Sequence, residues 1–116
     1  QSAIDKQTTK NDPKGAISDY ESALKIDNAA TTHMNLGTAY QQIDNYQKAI
    51  TEYTAALTMD ATNTKEAYYY LGTAYEALNQ PKRALQEYEN YLKKNPGGTN
   101  INEVKGRIKE LSNGKR

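Results

Sequence analysis

NLGTAYQQ, from Asn35 to Gln42, and YLGTAYEA, from Tyr70 to Ala77, contain the same five residues, Leu-Gly-Thr-Ala-Tyr. The two copies are 35 positions apart. A period of roughly 20 to 50 residues is typical of stacked supersecondary units, each of which buries its apolar face only against a neighbour. The sequence therefore predicts a repeat architecture rather than one closed core.

The similarity between the copies continues beyond these segments. Each copy is followed by an alanine and, four residues later, by a tyrosine, and a third pair with this spacing precedes both copies. The pairs are Ala16 and Tyr20, Ala49 and Tyr53, and Ala84 and Tyr88. With Pro96 beyond the last pair, the pattern resembles the tetratricopeptide repeat, in which Leu-Gly and a tyrosine precede an alanine, an aromatic residue and a proline. The resemblance covers about Pro13 to Gly98.

Helical periodicity supports this interpretation independently. Leu36, Tyr40 and Ile43 recur at four and three residues, which is the spacing of one face of an α-helix. Gly37 and Gly72 fall inside such helices, although glycine is about 1 kcal/mol less favourable there than alanine. We therefore expect close approach between paired helices at both glycines. The predicted fold is all-α, with seven helices at about residues 2–10, 13–27, 30–43, 46–59, 64–78, 81–94 and 101–112.

The domain prediction is a single solenoid of helix-turn-helix units over residues 1–116. It has about three repeats and a closing helix, at about residues 1–29, 30–64, 65–98 and 101–112 in that order. The first repeat is degenerate, because Ala3-Ile4 and Gln7 stand where the other repeats carry Leu-Gly and Tyr. The closing helix has an apolar stripe that would cover the last repeat, as the ends of a solenoid require.

Composition excludes several classes of function. The chain has 15 basic and 14 acidic residues, a net charge of +1 and no cysteine. We predict no nucleic-acid partner, no membrane insertion, no cofactor, no metal site and no enzymatic activity. The single histidine, His33, occupies a packing position of the repeat, and we predict structural packing for it rather than a catalytic or metal role. Tyr68 occupies the equivalent position of the next repeat, and we predict a core role for it. The abundance of Thr, Asn and Tyr favours a bacterial protein of the cytoplasm or periplasm without identifying the compartment.

The resemblance implies a protein-binding module whose first helices line a concave groove. The groove positions of the two complete repeats would be Thr31, Met34, Asn35, Thr38, Gln41 and Gln42, and Glu66, Tyr69, Tyr70, Thr73, Glu76 and Ala77. In the family, a Lys, Asn and Arg set grips a C-terminal carboxylate. Asn35 matches that set, but Glu66 and Tyr70 replace the cations, so the carboxylate clamp is not carried over.

We predict contact with the partner at seven of these positions: Met34, Asn35, Thr38, Tyr69, Tyr70, Thr73 and Glu76. Because Glu66 and Glu76 are acidic, the expected ligand is a neutral or basic peptide segment or helix of another protein. Two alternatives stay open. Tyr69 and Tyr70 could instead be solvated surface aromatics or contact the closing helix, and the chain could act as a structural scaffold that forms homo-oligomers by stacking its end repeats.

Overall fold

The computed structural model describes residues 12–113, so the helix predicted at residues 2–10 lies outside the described range. Within it the secondary structure is entirely helical, as predicted. The six helices are α1 (Pro13–Ile26), α2 (Ala30–Gln42), α3 (Tyr46–Asp60), α4 (Glu66–Ala77), α5 (Pro81–Lys94) and α6 (Ile101–Asn113). The six corresponding predictions are confirmed, with boundaries that differ by at most two residues.

Consecutive helices pack against each other along the whole described chain, and α2 also contacts α4. The helix pairs α2–α3 and α4–α5 each contain one copy of Leu-Gly-Thr-Ala-Tyr followed by its alanine–tyrosine pair. A direct hydrogen bond joins the two first helices, because the Gln41 Nε2 donates to the Thr73 Oγ1 at 2.7 Å. The result is the stacked arrangement of helix pairs that the repeat predicts.

The turns inside the two pairs have the same geometry. Asp44 after α2 and Asn79 after α4 both adopt the left-handed conformation, with φ of 63° and 60°. In each turn the next N–H donates to a tyrosine carbonyl five residues earlier, from Asn45 to Tyr40 and from Gln80 to Tyr75, both at 2.9 Å. This Schellman-type ending satisfies carbonyls that a helix end leaves unpaired, and Asp and Asn tolerate the conformation better than most residues.

In each pair a glycine of the first helix packs tightly against a tyrosine ring of the second. A Cβ added to Gly37 would lie 2.7 Å from the ring of Tyr53, and one added to Gly72 would come closer still to the ring of Tyr88. Both rings are almost fully buried, with exposed fractions of 0% and 1%. The expected close approach at the two glycines is therefore present, and each glycine makes room for a ring.

The two apolar clusters of the core show where the packing predictions need correction. Tyr68 is half-buried against the second cluster, whereas Tyr91, which the repeat pattern did not single out, is fully buried there. His33 is also half-buried, but hydrogen bonds rather than apolar contacts hold it. Its Nδ1 lies 2.6 Å from Glu52 Oε1 and its Nε2 lies 2.7 Å from Asn28 Oδ1, so the ring connects α2 to α3 and to the preceding loop.

Two glycine substitutions test this account of the core. Gly72→Ala should reduce the free energy of unfolding by about 1–3 kcal/mol, because the buried Tyr88 ring must shift to admit a Cβ. Gly106→Ala in α6 is the matched control, because nothing lies within 4 Å of the added Cβ. That variant should raise the free energy of unfolding by up to about 1 kcal/mol through helix propensity. Urea unfolding measures both, and a stabilised Gly72→Ala protein would contradict the close approach.

Candidate functional site

A cavity of about 220 Å³ lies where α1, α2 and α4 meet. The residues that line it are Ala16 and Tyr20 from α1, Met34, Asn35, Thr38, Ala39 and Gln42 from α2, and Tyr70 from α4. Four of the seven predicted contact residues, Met34, Asn35, Thr38 and Tyr70, therefore share one concave site. The other three lie elsewhere and have partners within the protein.

The cavity arises from a difference between the repeats. Tyr70 of α4 stacks on Tyr53 of α3, in the preceding repeat, with ring centroids 5.5 Å apart and planes inclined by 16°. One repeat earlier, Asn35 stands in the place of Tyr70, and Tyr20 stands in the place of Tyr53. Because an asparagine is much smaller than a tyrosine, the space that a second ring would fill remains open beside Tyr20.

Polar and apolar groups both line the cavity, and the polar groups include two free amides. The Thr38 hydroxyl is already engaged, since it donates to the Met34 carbonyl at 3.2 Å and accepts from the Tyr53 hydroxyl at 3.3 Å. Asn35 is exposed, and neither its amide nor that of Gln42 hydrogen-bonds to any residue between 12 and 113. Each amide therefore offers a donor and an acceptor to a ligand backbone.

Tyr69 points away from the cavity and belongs to the aromatic packing near α6. Its ring packs edge-on against Tyr70 and is tilted against Tyr88 and Tyr91, with centroids 5.4 to 6.4 Å apart. Its hydroxyl donates to the Glu103 Oε2 at 2.7 Å. Burial, followed by the neighbouring Glu103 carboxylate, raises the pKa of Tyr69 above its ordinary value. For Tyr69, contact with the closing helix is thus the arrangement found.

Thr73 and Glu76 also have partners inside the protein. Thr73 accepts from Gln41 and donates to the Tyr70 carbonyl at 2.8 Å. Glu76 accepts from the Tyr88 hydroxyl at 2.6 Å and pairs with the guanidinium of Arg107 through both carboxylate oxygens. Burial would raise the pKa of Glu76, but the hydrogen bonds from Arg107 and Tyr88 outweigh it and hold the pKa below its ordinary value.

These contacts correct the basis for expecting a basic ligand. That expectation treated Glu66 and Glu76 as unpaired acids in the groove. Glu66 instead accepts from the Tyr91 hydroxyl at 3.3 Å and from the Asn95 Nδ2 at 2.9 Å, and the charge of Glu76 is neutralised by Arg107. Neither carboxylate is therefore an open site for a cationic side chain.

Sequence reasoning missed three residues of the cavity wall, Ala16, Tyr20 and Ala39. The first two belong to α1, the second helix of its repeat, whereas the family pattern assigns the groove to first helices. A signal was available in the sequence. Ala16 and Tyr20 match Ala49 and Tyr53, but the segment before them lacks the Leu-Gly that would cover them.

In the described part of the chain, no group of three His, Cys, Asp or Glu residues is placed to hold a metal ion. No helix between residues 12 and 113 combines the length and apolar character needed to cross a membrane.

Comparison with known proteins identifies the fold. A family model described as tetratricopeptide repeat matches residues 34–99. The chain belongs to the tetratricopeptide repeat family. Tetratricopeptide repeats are protein-interaction modules and are generally not enzymes. Among curated proteins, no sequence matches the chain.

Solved tetratricopeptide structures share the architecture at low sequence identity. The Arabidopsis OM64 TPR domain is 26% identical, with a TM-score of 0.77, and the match covers 84% of this chain and 81% of that one. The first TPR of Spaghetti (RPAP3), bound to the HSP90 peptide SRMEEVD, is 22% identical, with a TM-score of 0.76 and coverage of 86% and 77%. MamA is 27% identical, with a TM-score of 0.70 and coverage of 86% and 63%.

The ion pair between α4 and α6 gives a pH-dependent prediction. Glu76→Gln should lower the free energy of unfolding by about 1 kcal/mol at pH 7, since the pair is partly exposed. Because the folded-state pKa of Glu76 is depressed, its stabilisation is present above the ordinary value of 4.5 and is lost as the pH falls through the folded-state pKa.

Urea unfolding of parent and variant at pH 7 and pH 3 measures this difference. The exposed Glu89→Gln, on α5, is the control and should change stability little at either pH. If Glu76→Gln lowered the free energy of unfolding as much at pH 3 as at pH 7, the charge of Glu76 would not be the source of the stabilisation.

Proposed function

We propose that the concave surface over α2 and α4 binds a neutral segment of another protein and that one apolar side chain of that segment enters the cavity. The observation that carries the proposal is the meeting of Met34, Asn35, Thr38 and Tyr70 around one open cavity. The protein acts as an interaction module, and its groove is formed before the partner arrives, so little ordering entropy is lost on the receptor side.

The size and polarity of the cavity define what it would hold. At about 220 Å³ the cavity is smaller than the pockets of about 300–1,000 Å³ that usually hold small molecules. It suits a single large side chain of a peptide. The ring of Tyr70 and the side chain of Met34 supply apolar contact, while Asn35 and Gln42 supply hydrogen bonds to the peptide backbone.

An acidic partner peptide is disfavoured by the residues present. The first TPR of Spaghetti (RPAP3) is bound to the peptide SRMEEVD, which has a single arginine and three acidic side chains. In this chain the two positions that hold cations in the carboxylate clamp are Glu66 and Tyr70. A carboxylate facing Glu66 would be repelled. With Glu66 and Glu76 both engaged internally, a neutral segment suits the surface best.

Self-assembly by stacked end repeats is the second candidate, and the closing helix disfavours it. Arg107 of α6 bonds to Glu76 as Thr73 of α4 bonds to Gln41, so Gly106 stands at the glycine position of the repeat and Lys105 at the leucine position. A further helix would meet the long side chain of Lys105 where the repeats bury Leu36 and Leu71. Continuation of the stack beyond α6 therefore requires a packing different from that inside the protein.

Asn35→Tyr tests the groove directly. Peptides that bind the protein would first be selected from a displayed library of random 12-residue segments, including segments with free C-termini. The new ring should fill the cavity beside Tyr20, as Tyr70 fills the space beside Tyr53. We expect at least tenfold weaker binding of the selected peptides, measured by calorimetry, with no loss of folding stability.

The control is Gln86→Tyr, which adds the same ring to an exposed position of α5. It should leave peptide affinity unchanged. Unchanged affinity in Asn35→Tyr would overturn the proposed site, and equal losses in both variants would show that the ring acts non-specifically.

A further inference from the structure

The second helices of the repeats are covered to different extents by first helices. In α3 and α5 the residues that face the preceding helix are all at most 1% exposed; they are Ala49, Tyr53 and Ala56, and Ala84, Tyr88 and Tyr91. In α1 the three equivalent residues are not buried. Ala16 and Tyr20 are half-buried and Ala23 is exposed. Ala16 and Tyr20 also line the cavity, so this face of α1 is continuous with the groove.

The two complete repeats show what covers such a face. Each covering helix places a glycine on the ring of the tyrosine that follows it by 16 residues, Gly37 on Tyr53 and Gly72 on Tyr88. Each tyrosine hydroxyl donates to an acceptor four residues after that glycine. The bonds are from Tyr53 to Gln41 and from Tyr88 to Glu76, both 2.6 Å long. A covering helix therefore needs Leu-Gly followed by a side-chain oxygen at the fourth position.

The start of this chain does not meet that requirement. Sixteen residues before Tyr20 stands Ile4, and Ala3 stands in the place of the leucine. A Cβ added to Gly37 would lie 2.7 Å from the ring that the glycine covers, so the contact seen in the complete repeats requires glycine rather than a branched residue. The fourth position holds Thr8 rather than Gln or Glu. The segment thus lacks the leucine, the glycine and the long acceptor together.

We propose that the face of α1 formed by Ala16, Tyr20 and Ala23 accepts a helix of a partner protein that carries Leu-Gly with Gln or Glu four residues after the glycine. This inference rests on the proposed function and narrows it. The face of α1 adjoins the groove, and at that end of the groove the partner segment would be a helix. The glycine of the partner would lie on the Tyr20 ring, and the Gln or Glu would accept from the Tyr20 hydroxyl.

A second copy of this chain is a poorer occupant than a different protein. The Leu-Gly faces of α2 and α4 are buried against the tyrosines of their own repeats. In α6 Gly106 and Glu110 stand at the glycine and acceptor positions, but the long, charged Lys105 stands where the leucine is needed. Neither source can supply a free Leu-Gly helix unless the copy unfolds, so the geometry favours a helix from another protein.

The covering sequence itself provides the probe. A capped peptide of residues 29–45, made helical by a lactam that joins the exposed positions 31 and 35, would be titrated into the ¹⁵N-labelled full chain. A matched peptide carries Gly37→Ile and reproduces the residue found at position 4. We expect the first peptide to shift the amide resonances of α1, with at least tenfold weaker binding by the second. No shift in α1 at millimolar peptide, or equal binding by both peptides, would overturn the proposal.

Two variants of the chain locate the contact. Ala23→Arg should abolish binding of the Leu-Gly peptide, because it places a long charged side chain on the proposed face. Ser22→Arg adds the same charge to an exposed neighbouring position of α1 and should leave binding intact. Because both positions are exposed, neither change should unfold the protein. Equal effects of the two variants would argue against a specific face.

The same material separates this inference from the proposed function. Suppose that Asn35→Tyr weakens binding of the selected 12-residue peptides as expected, but the Leu-Gly helix does not bind. The proposed groove is then supported and the proposed helix site on α1 is wrong. If instead the Leu-Gly helix binds α1 and Asn35→Tyr does not change the affinity of the selected peptides, the helix site is supported and the groove proposal is wrong.

Discussion

The packing of a backbone glycine against a tyrosine ring is the contact on which the rest of this structure depends. At Gly37 on Tyr53 and at Gly72 on Tyr88, the ring lies so close to the covering helix that even a Cβ on the glycine would clash with it. The cost of glycine in a helix is offset by burial of a large ring, whose transfer from water is the major favourable term. Because the contact recurs one period later, the two helix pairs have the same geometry and can stack.

The tyrosine hydroxyls extend this packing into a polar network. A buried hydroxyl needs a partner, and the two rings find theirs on the helix that covers them, at Gln41 and Glu76. Both partners then bond onward to the next element. Gln41 donates to Thr73 of α4, and Glu76 receives Arg107 of α6. Each repeat is thereby joined to its successor by a bond that starts from its own core.

The same network explains why the groove is smaller than the resemblance implies. In the later repeat, Tyr69 bonds to α6, Thr73 to α2 and Glu76 to α5. The polar groups on its half of the surface therefore already have partners within the protein. The earlier repeat has Asn35 where the later one has Tyr70, and Tyr20 is half-buried beside the cavity. In the described part of the chain, the open polar and apolar groups therefore collect at that end.

Short-range patterns in the sequence were enough to predict the helices and their stacking. Leu-Gly-Thr-Ala-Tyr at a 35-residue period and apolar residues spaced by four and three positions both act through contacts within about one helix pair. Met34, Asn35, Thr38 and Tyr70 were also predicted and meet in space, because their place on the first helices follows from the period. The hydrogen bonds to the Glu66 and Glu76 carboxylates could not be predicted, since their donors, Asn95 and Arg107, lie 29 and 31 residues away in the sequence. The helices follow from local periodicity. The charge and extent of the groove depend instead on which side chains from distant parts of the sequence bond to the groove residues, and only the packing of the helices determines that.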